Sequence, residues 1–293
     1  MARQSPEPTM WQLIVAGAQV PVVTLGAGAG VVLLHGGGTS ATEYMRLATR
    51  LSRRFTVHLY NRRGRPRAEP MHESDTVGTD IEDLAAVLEA TGSSRVFAHS
   101  GGGFVAFQAA RSLPISHLAT YDAAIAIEGT DIPKGYLGAF QDALDGGDLV
   151  TAMSIVATAA NPDETPRNMP PWLQRSLTAA FLKSTYGQRM KDLIHTFRPE
   201  IGRILDNEEP ASFYSTITAK VLLATGSHSS AYFAQTCEAL AEELPHGRRL
   251  VVPRARHNTA NSAPERLVQP LIDFFGDESG STDAVRPARE TGR

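Results

Sequence analysis

The run Val96-Phe97-Ala98-His99-Ser100-Gly101-Gly102-Gly103 sets a serine between a short apolar stretch and a cluster of glycines. It fits the nucleophile-elbow pattern G-x-S-x-G, with Ala98 in the place of the first glycine. A serine at such an elbow sits on a tight strand-to-helix turn in strained backbone. The residues two before and two after it must be small, so that strand and helix can approach each other. Ala98 and Gly102 meet that demand, and the N-terminus of the following helix favours negative charge beside the serine. The plain alternative is a glycine-rich turn with an incidental serine. A buried strand before Ser100 and a helix after it favour the nucleophile.

A second glycine run, His35-Gly36-Gly37-Gly38, ends an earlier apolar stretch, Val31-Val32-Leu33-Leu34. Attack on an acyl carbonyl builds negative charge on its oxygen, and preorganised N–H donors stabilise that charge by about 2.7–4 kcal/mol for a single donor. Glycines let backbone N–H groups approach without side-chain clash. One donor is assigned to Gly37 and the other to Gly101, directly after the nucleophile. The bland reading of the His35–Gly38 run is a flexible loop.

These groups need a scaffold, and the pattern along the chain supplies one. Gln12–Val15, Pro21–Thr24, Val31–Leu34, Phe55–Tyr60, Arg95–His99 and Ile115–Tyr121 read as strands. Short apolar runs of this kind are typical of strands buried on both faces. Between them lie helical stretches. One opens at a capping box formed by Ser40 and Glu43, one at Thr79 and Glu82 with Gly92 as its stop, and one spans Gly103–Ser112. The alternation breaks at about Glu128 and resumes at Lys220–Thr225 (strand), Ala231–Leu244 (helix), Arg248–Val252 (strand) and Ala263–Phe275 (helix). A third capping box, Ser262 to Glu265, starts the last helix, which Pro270 should kink or split. Within the break, Tyr136–Leu144, Leu149–Ala159, Trp172–Ser184 and Gly187–His195 all read as helices.

The expected architecture is therefore α/β, a mostly parallel sheet with helices on both faces and an inserted helical cap. Its parts are a core at 11–127 and 216–276, a cap at 128–215, and disordered termini at 1–10 and 277–293. Ligands of open α/β sheets bind outside the carboxyl ends of the strands, so the insertion would lie over the site.

Composition bounds the function. The chain has 293 residues, 42% hydrophobic and 20% charged, which is ordinary for a globular protein. A net charge of −3 leaves no basic footprint for nucleic acid or an anionic membrane. Cys237 is the only cysteine, so no internal disulfide forms; it reads as a buried hydrophobe. The polar start of the chain has no apolar segment of signal-peptide type, and no apolar run is long enough to span a bilayer. A cytoplasmic protein with a small-molecule substrate is expected; the oligomeric state is not legible.

Taken together, His35–Gly38, the loop Asn61-Arg62-Arg63-Gly64-Arg65, the elbow at Ser100 and Arg254-Ala255-Arg256-His257 resemble the α/β-hydrolase superfamily, in its branch with a helical cap. The likeness spans about residues 12 to 275. In the arginine loop Asn61 stands where the family's D-R-R-G-R-G motif has aspartate, and Pro66 replaces the last glycine. The resemblance implies serine, acid and histidine in that chain order. Of nine histidines, His257 lies just beyond the last strand, where family members carry the catalytic base. His99, next to the nucleophile, reads as structural, and His35 as a brace for the glycine loop. Arg62, Arg63 and Arg65 read as solvated surface, with a phosphate site as the alternative.

The acid departs from the common pattern. Most relatives place it after the strand that is Lys220–Thr225 here, yet the loop Gly226-Ser227-His228-Ser229-Ser230 has no carboxylate. Some relatives carry it one strand earlier, and that strand ends Thr120-Tyr121-Asp122. Asp122 is therefore the expected acid; Glu128 and Asp131 lie farther along, and a turn aspartate is the alternative reading. The resulting expectation is a serine hydrolase that cleaves a carboxylic ester, thioester or related acyl compound through an acyl-serine intermediate. Ser100, His257 and Asp122 would be catalytic, Gly37 and Gly101 would form the oxyanion hole, and no metal or organic cofactor is implied. The alternatives on this fold are a C–C bond hydrolase, a cofactor-free lyase, cyclase or acyltransferase, and a non-catalytic small-molecule receptor.

Overall fold

The apolar runs become strands of one twisted layer. In the computed structural model, which describes residues 7–159 and 169–277, the strands are β1 (Thr9–Val15), β2 (Ala18–Gly26), β3 (Gly30–Leu34), β4 (Thr56–Tyr60), β5 (Arg95–His99), β6 (His117–Tyr121), β7 (Lys220–Gly226) and β8 (Gly247–Val252). Their order is β1-β2-β4-β3-β5-β6-β7-β8. The β1–β2 and β2–β4 pairings are antiparallel, and all later neighbours are parallel. The strand order reverses between β3 and β5, so the loops after these two strands open into one crevice at the carboxyl edge.

Strand side chains alternate between faces, and here both faces are covered. Val32, Leu34, Val96 and Ala98 face a core shared with α2 (Val77–Thr91), α3 (Gly101–Ala110) and α8 (Ala231–Glu243). Val31, Leu33, Phe97 and Tyr121 face a second core with α1 (Met45–Leu51) and α10 (Glu265–Phe275). Double-sided burial is what turns an alternating pattern into a continuous apolar run. Cys237 is in the first core, where burial pushes its thiol up to about 12. It is packed as a small hydrophobe.

Between β6 and β7 come α4 (Leu137–Asp145), α5 (Leu149–Ala159), α6 (Pro171–Phe181) and α7 (Thr185–Leu205). They share a small apolar cluster of Phe140, Ala152, Met153, Leu182 and Ile194. A short α9 (Thr259–Ser262) precedes α10. Among the described residues no helix is long and apolar enough to cross a membrane.

Several local expectations need correction. Helix α2 begins three residues early: Thr76 is its cap, and Thr79 is the partner whose hydroxyl accepts from the Thr76 N–H at 3.2 Å. Ser262 does not cap α10. Ala263 adopts a positive φ of 48° and Pro264 follows, so the chain turns there, and the Ser262 hydroxyl donates back to the Thr259 carbonyl. Pro270 lies inside an unbroken α10, and Pro199 inside α7, which runs on ten residues beyond the expected stop at His195. Pro199 and His195 are both exposed, so the carbonyl that loses its helical partner faces water.

The expected disordered N-terminus is also cut back. Thr9 and Met10 pair with Thr24 and Val23 in β2, while residues 1–6 lie outside the described residues. At the other end Asp277 is docked: its carbonyl accepts from His117 Nε2 at 3.0 Å and its carboxylate pairs with Lys220. Residues 278–293 of the expected tail lie outside the described residues.

Candidate active site

Ser100 joins β5 to α3 with φ 53° and ψ −127°, a conformation that costs a non-glycine residue on the order of 1–3 kcal/mol. The surroundings impose it. The Ser100 N–H donates to the Tyr121 carbonyl at 3.2 Å, and its own carbonyl accepts from the N–H groups of Gly103 and Ala124. A Cβ at Gly102 would meet the His35 carbonyl oxygen at 2.5 Å, and one at Gly103 would meet Ala123 Cβ at 2.5 Å. Helix and strands therefore approach as closely as the small residues allow.

Three residues far apart in the chain converge on this turn. His257 Nε2 lies 3.1 Å from Ser100 Oγ, and His257 Nδ1 lies 3.2 Å from Asp122 Oδ2. Asp122 stands directly after β6, fully buried, with a φ of 45°. Its Oδ1 accepts from Thr225 Oγ1 at 2.9 Å and from the Gly226 N–H at 3.1 Å; its Oδ2 also accepts from Ser229 Oγ at 2.6 Å. Burial pushes this carboxyl up, but the hydrogen bonds from His257 and Ser229, with the nearby imidazole charge, outweigh it and hold the group below the usual range. An ionised Asp122 only accepts, so Nδ1 carries the imidazole proton and Nε2 is left to accept from Ser100. The loop that has no carboxylate of its own thus supplies donors that hold Asp122 in place.

The same loop fixes the histidine segment. The Ser227 N–H donates to the Val252 carbonyl, the His228 N–H to the Ala255 carbonyl, and the Arg254 N–H to Ser227 Oγ. Tyr121 Oη donates to the Arg256 carbonyl at 2.8 Å. The His257 ring is stacked on Phe233, with centroids 4.8 Å apart and planes 8° apart.

His99 is structural in a specific way. Its Nε2 is 3.0 Å from the His257 carbonyl, so it must carry a proton and donate there; Nδ1 then accepts from Tyr44 Oη at 2.6 Å. Tyr44 Oη in turn accepts from the Gly36 N–H at 3.0 Å. One directed chain links the glycine loop to the backbone of His257. Burial, and then the His257 charge, push the His99 imidazole down to about 3, so this chain does not reverse near neutral pH. Tyr44→Phe leaves the Gly36 donor and the His99 acceptor unpaired in a buried setting, a loss of roughly 1–3 kcal/mol for each group. On the expectation that the glycine loop holds an oxyanion, kcat should fall about tenfold or more, with KM changed much less, because the loop's geometry would matter most as that charge forms. Steady-state kinetics on any accepted ester, with a thermal melt to separate stability, checks this.

Gly37 and Gly101 come together across the crevice: a Cβ placed on Gly101 would lie 3.7 Å from Gly37 N. Neither N–H is used in a hydrogen bond among the described residues. His35 braces the loop as expected, with Nδ1 donating to the Gly36 carbonyl and Nε2 accepting from the Arg62 N–H. Burial, then Arg65 and Arg62, hold its imidazole well below the ordinary value and neutral.

The arginine loop is neither solvated nor open to a phosphate. Arg62 and Arg65 are buried, and both bind Glu200 of α7, at 2.9 and 2.8 Å. Arg62 also pairs with Asp80, and Arg63 with Asp75 and Asp83. Arg65 Nε donates to the Thr39 carbonyl, tying Glu200 to the glycine loop. Asn61, the departure from the family motif, accepts from the Ala41 N–H and donates to the Pro66 carbonyl. Sequence reasoning missed Glu200, Tyr44, Ser229 and Phe233 as site residues. Only Ser229 carried a usable signal, as a hydroxyl in the loop where an acid was sought.

A cavity of about 460 Å³ opens over Ser100, bounded below by Gly36, Gly37 and His257 and above by the inserted helices. Tyr136, Met153, Phe181 and Tyr186 of the insertion line it. Phe140 packs within the insertion against Phe197, and Trp172 is 69% exposed.

A profile of the Alpha/beta hydrolase family matches residues 31–269. A curated protein from Caulobacter sp. (strain K31), "Putative carbamate hydrolase RutD", is 24% identical over 257 residues, which are 85% of this chain and 91% of that protein. The crystal structure of an alpha/beta hydrolase from Sphaerobacter thermophilus DSM 20745 has a TM-score of 0.75 and 27% identity, covering 90% of this chain and all of that one. That of 2-hydroxy-6-oxo-6-phenylhexa-2,4-dienoate hydrolase (BphD) from Rhodococcus sp. strain RHA1 has a TM-score of 0.69 over 94% of this chain and 100% of that one; at 16% identity the likeness is one of fold alone.

Proposed function

The chain belongs to the Alpha/beta hydrolase family, and from that premise we propose that it hydrolyses a carboxylic ester, thioester or related acyl compound through an acyl-serine intermediate at Ser100. The observation that carries this reading is the Ser100 Oγ–His257 Nε2–Asp122 alignment at 3.1 and 3.2 Å, on a strained elbow beside two unused N–H donors.

Ser100 Oγ attacks the acyl carbonyl carbon as His257 Nε2 takes its proton. The Gly37 and Gly101 N–H groups stabilise the oxyanion. On collapse, His257 returns the proton to the departing alcohol or thiol. A water then attacks the acyl-serine by the same route, with His257 as base and then as acid, and releases the carboxylic acid. Asp122 holds the imidazole in the tautomer this requires and stabilises the imidazolium. The inserted helices act as a cap over the cavity. Carbamates fall within the same acyl class, which fits the name of the Caulobacter relative.

The test is to quench the protein during turnover of p-nitrophenyl butyrate and map the adduct by mass spectrometry. A butyryl group on the peptide carrying Ser100 is expected. Ester turnover with no adduct there, and no labelling of Ser100 by a fluorophosphonate, refutes the acyl-serine route. Labelling without turnover of any ester favours a receptor.

A further inference from the structure

The cavity above Ser100 is asymmetric in charge. Ile132, Met153, Val156, Leu177, Met190 and Ile201 make much of its wall apolar, and no Lys or Arg lines it among the described residues. Among the described residues its one carboxylate is Glu200. A Cβ at Gly37 would lie 3.2 Å from Glu200 Oε2, so this carboxylate abuts the loop that carries the proposed oxyanion donor.

The two guanidinium groups that pair with Glu200 do not line the cavity. Arg62 donates to Asp80 and pairs with Glu200. Arg65 donates to Glu200, to the Thr39 carbonyl and to the Arg63 carbonyl. What a ligand meets at this end of the cavity is therefore a carboxylate whose guanidinium partners stand outside the lining. An acyl chain ending in a carboxylate would leave water, find no cation to pair with, and lie near a like charge. Burying an unpaired charge costs far more than burying a methyl group.

We propose, on the strength of the acyl-serine reading above, that this site takes esters whose acyl part is apolar and uncharged, and that Glu200 is a specificity-determining residue that rejects acyl chains ending in a carboxylate. Such a filter separates simple acyl esters from acid-bearing substrates of the same length.

Three p-nitrophenyl esters of matched chain test it: the pentanoate, the hemiglutarate with its free carboxylate, and the methyl-capped glutarate. The hemiglutarate is expected to show kcat/KM lower than the pentanoate by about 100-fold or more, and the methyl-capped ester to recover most of that loss. Equal values for all three overturn the proposal. A methyl-capped ester as poor as the hemiglutarate also overturns it, because size or polarity would then be the discriminant. Glu200→Gln is expected to narrow the hemiglutarate-to-pentanoate difference, since Arg62 and Arg65 lose their counter-charge. This is read as a ratio, so a general loss of activity does not mask it, and an unchanged ratio removes Glu200 from the role.

Labelling rates of Ser100 with an alkyl and a carboxyalkyl fluorophosphonate repeat the comparison without turnover. Absence of both turnover and labelling is failure of the acyl-serine reading itself, whereas labelling at equal rates by the two probes is failure of the charge filter alone.

Discussion

Ser100→Ala is expected to lower kcat on any accepted ester by about six orders of magnitude, the scale seen when a serine hydrolase loses its nucleophile. The loss is this large because Ser100 Oγ is the hydroxyl that the elbow holds against His257 Nε2. His257 would have to activate water from a position set for a side chain, leaving only the oxyanion donors and binding to contribute. The fold should survive. The bonds that hold residue 100 at φ 53° are backbone bonds to Tyr121, Gly103 and Ala124, and alanine keeps all of them. The side chain gives up one hydrogen bond, to His257. The measurement is turnover together with fluorophosphonate labelling, with a thermal melt close to that of the parent protein. Retained labelling in this variant would show that the nucleophile is another residue.

Asp122→Asn is expected to cost about 10⁴ in kcat, as in the best-studied triad, and for a reason visible in the donor set. Asparagine keeps the shape and tolerates the positive φ of 45° at this position. Its carbonyl oxygen can keep the bonds from Thr225 and Gly226 at Oδ1. The amide NH2 then occupies the place of Oδ2, where it faces His257 Nδ1 and Ser229. A donor there makes Nδ1 the acceptor and moves the ring proton to Nε2, which can no longer take the Ser100 proton. Charge stabilisation of the imidazolium is lost as well. Asp122→Ala is the poorer probe, because it strands the four donors from Thr225, Gly226, Ser229 and His257 in a buried site at roughly 1–3 kcal/mol each. Activity of Asp122→Asn within a few-fold of the parent, where Ser100→Ala is dead, would place the acid elsewhere or reduce the site to a Ser–His pair.

The site residues differed in how legible they were. Ser100 and the glycines around it were legible because an elbow is a local backbone demand: small residues at set spacings, between an apolar strand and a helix. The two antiparallel pairings at β1 and β2, by contrast, are not marked by composition, and neither is the strand order that brings β3 beside β5. Asp122 is legible only through the family resemblance: the stretch from Gly226 to Ser230 has no carboxylate, some relatives carry the acid one strand earlier, and β6 and β7 are neighbours in the sheet. That the same loop would turn its Ser229 hydroxyl and Gly226 N–H onto Asp122 follows from this adjacency, which spans more than a hundred residues of sequence.

By itself, then, the sequence determined what depends on near neighbours along the chain. This covers the doubly covered strands, the α/β class, the elbow, the glycine loop, and a histidine and a carboxylate at strand ends. What it could not determine is what distant segments do to one another's charges. Arg62 and Arg65 read as solvated because arginine usually is. They are buried because Glu200, 135 residues away from Arg65, reaches them from a helix that runs on past Pro199. The tautomer of His99 and the chain from Gly36 through Tyr44 to His257 were likewise decided only when three segments packed together. Burial and pairing of a polar group are properties of its surroundings in space, and only the tertiary structure supplies those.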